Sequence, residues 1–240
     1  MKIGILEVGL LNEALQDQFD PYPVMFADLL NRASEQLEYQ SYSVIRGEMP
    51  DSVTACDGWL ITGSRHGVYE NLDWMLKLQA FIRVLAEQKI ALVGICFGHQ
   101  IIAQALGGKV VKSDKGWGVG PHRYRIDEAQ PWMKSAVDEV SIYAFHQDQV
   151  VELPPQARVF SSSEFCPNAG LCYGDSIISV QAHPEFAEEY EVALLEMYSG
   201  NVVPKADADA ALARIRSEGL RANTQMLAEW IAEFFISRQT

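Results

Sequence analysis

The chain has 240 residues, 48% of them hydrophobic and 21% charged, with a net charge of −13. That length suits one large α/β domain, or one domain with a C-terminal addition, and the composition argues against disorder. The acidic balance argues against nucleic acid as a partner, because phosphate contacts need clustered Lys and Arg, and no apolar run approaches the length of a membrane span.

The chain opens on a strand at Lys2–Val8, with no leader-like apolar region or cleavage site before it, so a cytoplasmic protein is expected. Periodicity predicts a helix over Val24–Gln36, strands at Glu38–Val44 and Gly58–Ile61, and a helix over Asp73–Gln88. A buried strand at Ile90–Ile95 leads into a helix over Phe97–Leu106, which stops at Gly107-Gly108. Such alternation implies an α/β fold: a doubly wound, mostly parallel, flavodoxin-like sheet with sites at the C-terminal ends of its strands. From Lys109 to Gln181 strands dominate, at Arg123–Ile126, Val140–Ala144, Val159–Ser161, Leu171–Tyr173 and Ile177–Val180, and predict an antiparallel extension of that sheet. A helix follows over Ala187–Tyr198. Residues 199–240 read as a helical extension, with helices at Asp207–Arg216 and Leu220–Ser237. The second carries Met226, Leu227, Trp230, Ile231, Phe234 and Phe235 at helical spacing, a stripe expected to pack on the parent domain rather than on another copy of the chain.

Gly94-Ile95-Cys96-Phe97-Gly98-His99-Gln100 sets one cysteine on a sharp turn between strand and helix. Glycines two residues before and after it let the chain turn tightly, in the manner of a nucleophile elbow. A thiol there projects at the end of a strand, beside a helix N-terminus whose amides favour a thiolate. A lone cysteine after an apolar strand is otherwise a small core hydrophobe, so both readings stand until a base is found. Cys56, Cys166 and Cys172 read as reduced structural thiols, and the spacing of the last two offers no zinc site. No metal and no cofactor is expected.

The base comes from Ile177-Ile178-Ser179-Val180-Gln181-Ala182-His183-Pro184-Glu185-Phe186, an apolar strand running into a polar turn. A cysteine nucleophile needs a base, and the base needs an orienting acceptor. Residues i and i+2 of an extended segment share a face, so Glu185 can reach the imidazole of His183 while Pro184 stiffens the bond between them. With Cys96 they complete a Cys–His–Glu triad. An α/β-hydrolase with an elbow cysteine is disfavoured by order, since its acid precedes its histidine.

These two motifs resemble those of the class I glutamine amidotransferases, the triad type found in the glutaminase part of GMP synthetase, over roughly residues 1–198. Within that family the chain is similar to free-standing members, including the γ-glutamyl peptidases that cleave γ-glutamyl bonds of peptides such as glutathione conjugates. The stretches that carry this finer likeness are Ile61-Thr62-Gly63-Ser64, Lys115-Gly116-Trp117-Gly118-Val119-Gly120 and Phe145-His146-Gln147-Asp148-Gln149-Val150. The resemblance implies cleavage of a γ-glutamyl amide through a thioester on Cys96, with His183 as base and Glu185 orienting it. One oxyanion donor is the N–H of Phe97, the residue after the nucleophile; the resemblance puts the other at Gly63-Ser64. The family usually has a Gly-Gly-Pro turn there, and Ser64 is expected to change the loop's shape, since serine tolerates positive φ poorly. The resemblance also makes Gln100 a glutamine-binding side chain, and His146-Gln147-Asp148 the segment holding the α-amino and α-carboxylate ends. For His146 a purely structural role stands beside direct contact. His99 reads as structural, Arg65, His66 and Tyr69 as the acceptor side, and Trp117 as a pocket wall or a packed aromatic.

Three readings of function differ in class. The first is a free-standing γ-glutamyl hydrolase or peptidase, open to leaving groups larger than ammonia. The second is a glutaminase subunit supplying ammonia to a separate synthetase, since residues 199–240 are too few for an ammonia-accepting domain. The third, a non-catalytic binding or regulatory protein, gains nothing from Cys96, His183 and Glu185 together. The expected partners are a small-molecule γ-glutamyl substrate or glutamine and, in the second reading, the synthetase; neither nucleic acid nor membrane is expected. The sequence leaves the leaving group and the oligomeric state open.

Overall fold

The computed structural model describes residues 1–135, 137–218 and 223–238. The chain starts with β1 (Lys2–Leu6), α1 (Tyr22–Asn31), β2 (Glu38–Tyr42), β3 (Gly58–Ile61), α2 (Asp73–Gln88), β4 (Ala91–Ile95) and α3 (Phe97–Ala105). The strand-rich stretch holds β5 (Lys109–Lys112), β6 (Gly118–Ile126), β7 (Glu139–His146), β8 (Asp148–Glu152), β9 (Ala157–Ser162), β10 (Gly170–Tyr173) and β11 (Ile177–Val180). Helices α4 (Glu188–Tyr198), α5 (Lys205–Glu218) and α6 (Thr224–Ile236) follow.

Nine strands form one sheet in the order β2-β1-β3-β4-β11-β10-β9-β6-β7. Neighbours from β2 to β11 are parallel; from β11 to β7 they are antiparallel. The antiparallel extension therefore continues the parallel half as a single sheet, while β5 and β8 form a separate antiparallel pair.

Alternation along the central strands explains why both faces need helices. Ile3, Ile5, Leu60, Val93 and Ile95 point to one face and are buried with apolar residues of α1 and α6. Leu6, Trp59, Ile61 and Leu92 point to the other and are buried with α2 and α3. Strands covered on both faces read as continuous apolar runs, as β3 and β4 do. The stripe on α6 is thus core: Leu227, Trp230, Ile231, Phe234 and Phe235 are all buried, and Phe235 lies so near Gly58 that a Cβ there would sit 3.0 Å from its ring. A third cluster seats α4 and α5 on Val119 of β6 and Tyr143 of β7.

The boundaries differ from the sequence reading where local bonds compete with the regular element. The helix expected at Val24–Gln36 begins at Tyr22, where Pro21-Tyr22-Pro23 presets the backbone, and ends at Asn31. Beyond it the Ser34 hydroxyl accepts the N–H of Gln36 at 3.2 Å, a local bond that replaces helix. β1 stops at Leu6, short of Val8, whose N–H goes to the Thr62 hydroxyl at 3.1 Å. β2 stops at Tyr42, short of Val44, because Val44–Arg46 forms a 3₁₀ turn closed by left-handed Gly47. β6 starts five residues before the expected Arg123, and β5 and β8 have no counterpart among the expected strands. The expected helix start at Leu220 lies outside the described residues; α6 is described from Thr224.

Phe235→Ala should destabilise the protein by about 3–5 kcal/mol in denaturant unfolding, the scale for removing a fully buried phenylalanine ring. A loss below about 1 kcal/mol would mean that α6 does not complete the core.

Candidate active site

Four loops meet at one edge of the sheet because the register demands it. Leu6 pairs with Ile61, Ile61 with Gly94, and Val180 with Ile95, so the segments after β1, β3, β4 and β11 leave the sheet side by side. This is the C-terminal edge, and the chain winds outward in opposite directions from β1 and β3, the position where open α/β sheets form a crevice.

Cys96 occupies the elbow with φ +51° and ψ −101°, one of three non-glycine residues with positive φ among the described residues. Its N–H donates to the Val180 carbonyl at 2.9 Å and its carbonyl accepts from Gln100 N–H at 3.1 Å, so strand pairing and the first turn of α3 fix both sides of the strained residue. The flanking glycines permit close packing rather than positive φ. A Cβ on Gly98 would lie 2.5 Å from the Ile61 carbonyl oxygen, and one on Gly94 would lie 2.5 Å from Ile102 and 2.6 Å from the Gly98 backbone. Glycine at both positions is what lets α3 press its N-terminus onto β3 and β4.

His183 follows β11, anchored by its N–H to the Tyr143 carbonyl of β7 at 2.8 Å. Its Nδ1 meets Glu185 Oε1 at 2.7 Å. The charged form of the imidazole is favoured well above the usual histidine range: burial opposes the charge, but Glu185 and Cys96 beside it outweigh it. Phe186 stacks on the ring, with centroids 4.0 Å apart and planes 12° apart. Glu185 thus fixes one nitrogen and Phe186 fixes the ring plane. Gln181, two residues before His183 on the same strand face, donates from Nε2 to Cys96 Sγ at 3.6 Å.

The loop after β3 closes over these groups. A Cβ on Gly63 would fall 2.9 Å from His183 Cε1 and 3.8 Å from Cys96 Cβ, so only glycine fits. A Cβ on Gly9 would fall 2.4 Å from the Gly63 carbonyl oxygen, so the β1 loop packs against the β3 loop from behind. Ser64 does not adopt positive φ, a backbone that serine accepts; its hydroxyl accepts the N–H of His66 at 3.3 Å. Phe97, as first residue of α3, has no intrahelical acceptor for its own N–H.

The remaining sequence candidates share one cavity with Cys96 and His183: Gln100, His146, Gln147 and Asp148 all line it, as do Arg65, His66, Tyr69 and Trp117. The amide nitrogen of Gln100 is committed within the protein, donating to the Asp148 carbonyl at 3.0 Å and to Gln181 Oε1 at 3.2 Å. His146 is buried against Asp148, its Nδ1 3.2 Å from the Asp148 carbonyl, and burial together with the charge of His122 holds it down at about 3, hence neutral. Burial pushes the Asp148 carboxyl up, partly countered by a hydrogen bond from Tyr69 and by Lys112. His99 lies behind the site, fully buried, with Nδ1 2.8 Å from the Ser179 hydroxyl. The cavity encloses about 910 Å³.

Sequence reasoning missed Gln181, Phe186 and the pair Tyr22–Tyr190, whose hydroxyls lie 3.0 Å apart beside Phe186. Gln181 is within reach of the same i, i+2 argument that links His183 to Glu185. Tyr22 is not, because only the tertiary fold brings α1 to α4. Among the described residues, no helix is long and apolar enough to cross a membrane.

Residues 26–196 match the class-I glutamine amidotransferase family. γ-Glutamyl peptidase 3 of Arabidopsis thaliana is 32% identical over 186 residues, which cover 74% of each chain. A subunit of the glutamine-hydrolysing GMP synthase of Pyrococcus abyssi is 32% identical over 127 residues, 52% of this chain and 60% of that one. In three dimensions, a glutamine amidotransferase from Methylobacillus flagellatus superimposes with a TM-score of 0.74 at 23% identity, covering 99% of this chain and 92% of that one. With a match that spans well over half its length, the chain belongs to the class-I glutamine amidotransferase family.

Proposed function

We propose that the chain is a free-standing cysteine hydrolase of γ-glutamyl amide bonds, with Cys96 as nucleophile, His183 as acid and base, and Glu185 as the orienting carboxylate. The observation that carries this reading is the buried arrangement in which Glu185 holds Nδ1 of His183 at 2.7 Å while Cys96 and that imidazole face the same cavity on either side of Gly63. The 74% mutual coverage with a γ-glutamyl peptidase supports the bond type. Residues 1–198 supply this machinery, and beyond them α5 and α6 form a helical extension packed on that domain.

The chemistry follows from the geometry. The Cys96 thiolate attacks the γ-carbonyl, and the negative charge moves onto the carbonyl oxygen. The N–H of Phe97 and the backbone of the Gly63-Ser64 loop stabilise that oxygen, the kind of preorganised donor set worth about 3–4 kcal/mol per group removed. The His183 imidazolium gives its proton to the departing amine, leaving a γ-glutamyl thioester on Cys96. Water then gives a proton to His183 and its hydroxyl to the thioester carbon, releasing glutamate and regenerating the pair. His146, Gln147 and Asp148, with the carbonyl oxygen of Gln100, take the α-amino and α-carboxylate ends of the substrate.

The second reading, a glutaminase subunit feeding a separate synthetase, is favoured by the likeness to the archaeal GMP synthase subunit. Turnover by purified protein alone separates the two. A hydrolase should cleave γ-glutamyl peptides or amines with higher kcat/KM than free glutamine, and acid quench should trap a γ-glutamyl mass on Cys96. Glutaminase activity that appears only with an added synthetase, and none on γ-glutamyl peptides, would favour the second reading.

Two further outcomes test the residue roles. Cys96 should be the first cysteine alkylated by iodoacetamide, because burial pushes the Cys166 and Cys172 thiols up to about 12 and raises Cys56 as well. Cys96→Ala should abolish turnover with the fold intact; wild-type rates in that variant would sink the catalytic assignment. His183→Ala should lose at least as much as removal of the acid, whereas Glu185→Gln should keep a residual rate. The pH profile has a definite sign. Glu185 is among the groups that hold His183 protonated above its usual range, so the imidazolium needed as acid is lost as pH rises. Removing the carboxylate charge should move the alkaline limb of single-turnover acylation to lower pH. An unmoved limb in Glu185→Gln would assign the orienting role to another acid.

A further inference from the structure

The cavity has two unlike walls. On the side of the β3 loop and β8 it is polar and charged, with Arg65, His66, Lys112 and Asp148. Trp117, Phe145 and Tyr198 line it too, a continuous row of rings with Trp117 5.6 Å from Phe145 and Phe145 6.0 Å from Tyr198. All three are only partly buried and pack on the apolar cluster that also holds Tyr143 and Phe186. The Tyr198 ring is oriented by Asn12, whose Nδ2 donates to its hydroxyl at 3.2 Å. Two large aliphatic side chains stand exposed at the same cavity, Leu10 at 40% and Val202 at 45%. Rings and aliphatic side chains left in contact with water around one concave site are the signature of an apolar ligand group, not of a surface that needed only to be soluble.

The fold also says which part of a substrate meets this wall. His183, the group that protonates the departing amine in the proposed reaction, is bridged to Tyr143 of β7. Phe145 is two residues further along β7 and so on the same strand face as Tyr143. His146 projects from the opposite face, toward Asp148 and so toward Gln100, whose amide also bonds the Asp148 carbonyl. The α-amino and α-carboxylate ends of a γ-glutamyl group match the polar side. The leaving amine, which departs from the flank of His183, matches the rings.

We propose that Trp117, Phe145 and Tyr198, with Leu10 and Val202 at the lip, form a leaving-group subsite that selects γ-glutamyl amides of alkylamines bearing an aromatic ring. The proposal rests on the γ-glutamyl hydrolysis argued above and adds to it the chemical class of the departing group. These residues determine specificity and make no contact with the reacting atoms.

The test compares γ-L-glutamyl phenethylamide with γ-L-glutamyl ethylamide, which differ by one phenyl ring remote from the scissile bond. Purified protein should show a kcat/KM ratio of about tenfold or more in favour of the phenethylamide, the scale for taking one ring out of water. Trp117→Ala should bring that ratio toward unity, and Tyr198→Phe, which keeps the ring, should preserve most of it. Val202→Asp, at a position already 45% exposed, puts a carboxylate on the lip without opening the core and should also lower the ratio. It decides the matter if Trp117→Ala fails to fold. A ratio near unity in the wild type, or one unchanged in Val202→Asp and in every folded ring variant, would overturn the subsite while leaving γ-glutamyl hydrolysis standing. If neither amide is cleaved and no acyl group forms on Cys96, the hydrolase reading fails, and the subsite with it.

Discussion

The site depends on a single strained residue. A non-glycine backbone at φ +51° is unfavourable by about 1–3 kcal/mol unless its surroundings leave no alternative. Around Cys96 there is none: the β11 pairing holds its N–H, the first turn of α3 holds its carbonyl, and contacts below 3 Å from any added Cβ hold Gly94 and Gly98 in place. Relaxing the elbow would require breaking β4 from β11 or lifting α3 off β3, each of which exposes buried core. The strain is therefore stored in the hydrophobic packing of the whole domain, and α6, far along the chain, contributes to it by covering the face of the sheet opposite α3.

That rigidity sets the terms for the electrostatics. Glu185 is 7% exposed, and Oε1 has one side-chain partner, the imidazole, while Oε2 has none among the described residues. A carboxylate so placed is tolerated only with a charge beside it, because an unpaired buried charge is costly. The imidazolium needs the same compensation, since burial alone would neutralise it. Each charge stabilises the other, and in the proposed reaction the proton on the imidazolium is the one handed to the departing amine. Phe186, stacked 4.0 Å away, excludes water from one face of the ring and leaves the edge free to work.

How much of this is legible in the sequence follows from how local each signal is. β3, α2 and β11 are legible to the residue, because each is a short apolar or amphipathic run bounded by clear punctuation. The pair of motifs around Cys96 and His183 is legible for the same reason: both residues sit within ten positions of a strand end. β5 and β8 are invisible because Lys109–Lys112 and Asp148–Glu152 are short, each with only two apolar residues between charged ends, and their pairing is what makes them strands. The aromatic wall is equally hidden. Trp117, Phe145 and Tyr198 come from three separate elements, and nothing in their spacing says that they share a cavity. At Ser64 the sequence says only that the usual glycine is replaced; the φ that serine adopts there, which is not positive, comes from the structure.

One acid near the site shows why the fold can keep two carboxyls beside one imidazole. Glu191 of α4 is fully buried, and its Oε1 accepts the N–H of Gly120 at 2.7 Å. Burial pushes its carboxyl up to about 8, against the pull of the Gly120 hydrogen bond and of His183. At neutral pH it is therefore largely protonated, with no charge to compete with Glu185 for the imidazolium. Glu191 keeps its proton because burial outweighs both the Gly120 hydrogen bond and the pull of His183. Gly120 itself is fixed by packing on the next helix: a Cβ there would come within 2.9 Å of Ala211 on α5, and its φ of +78° is one that side chains rarely adopt.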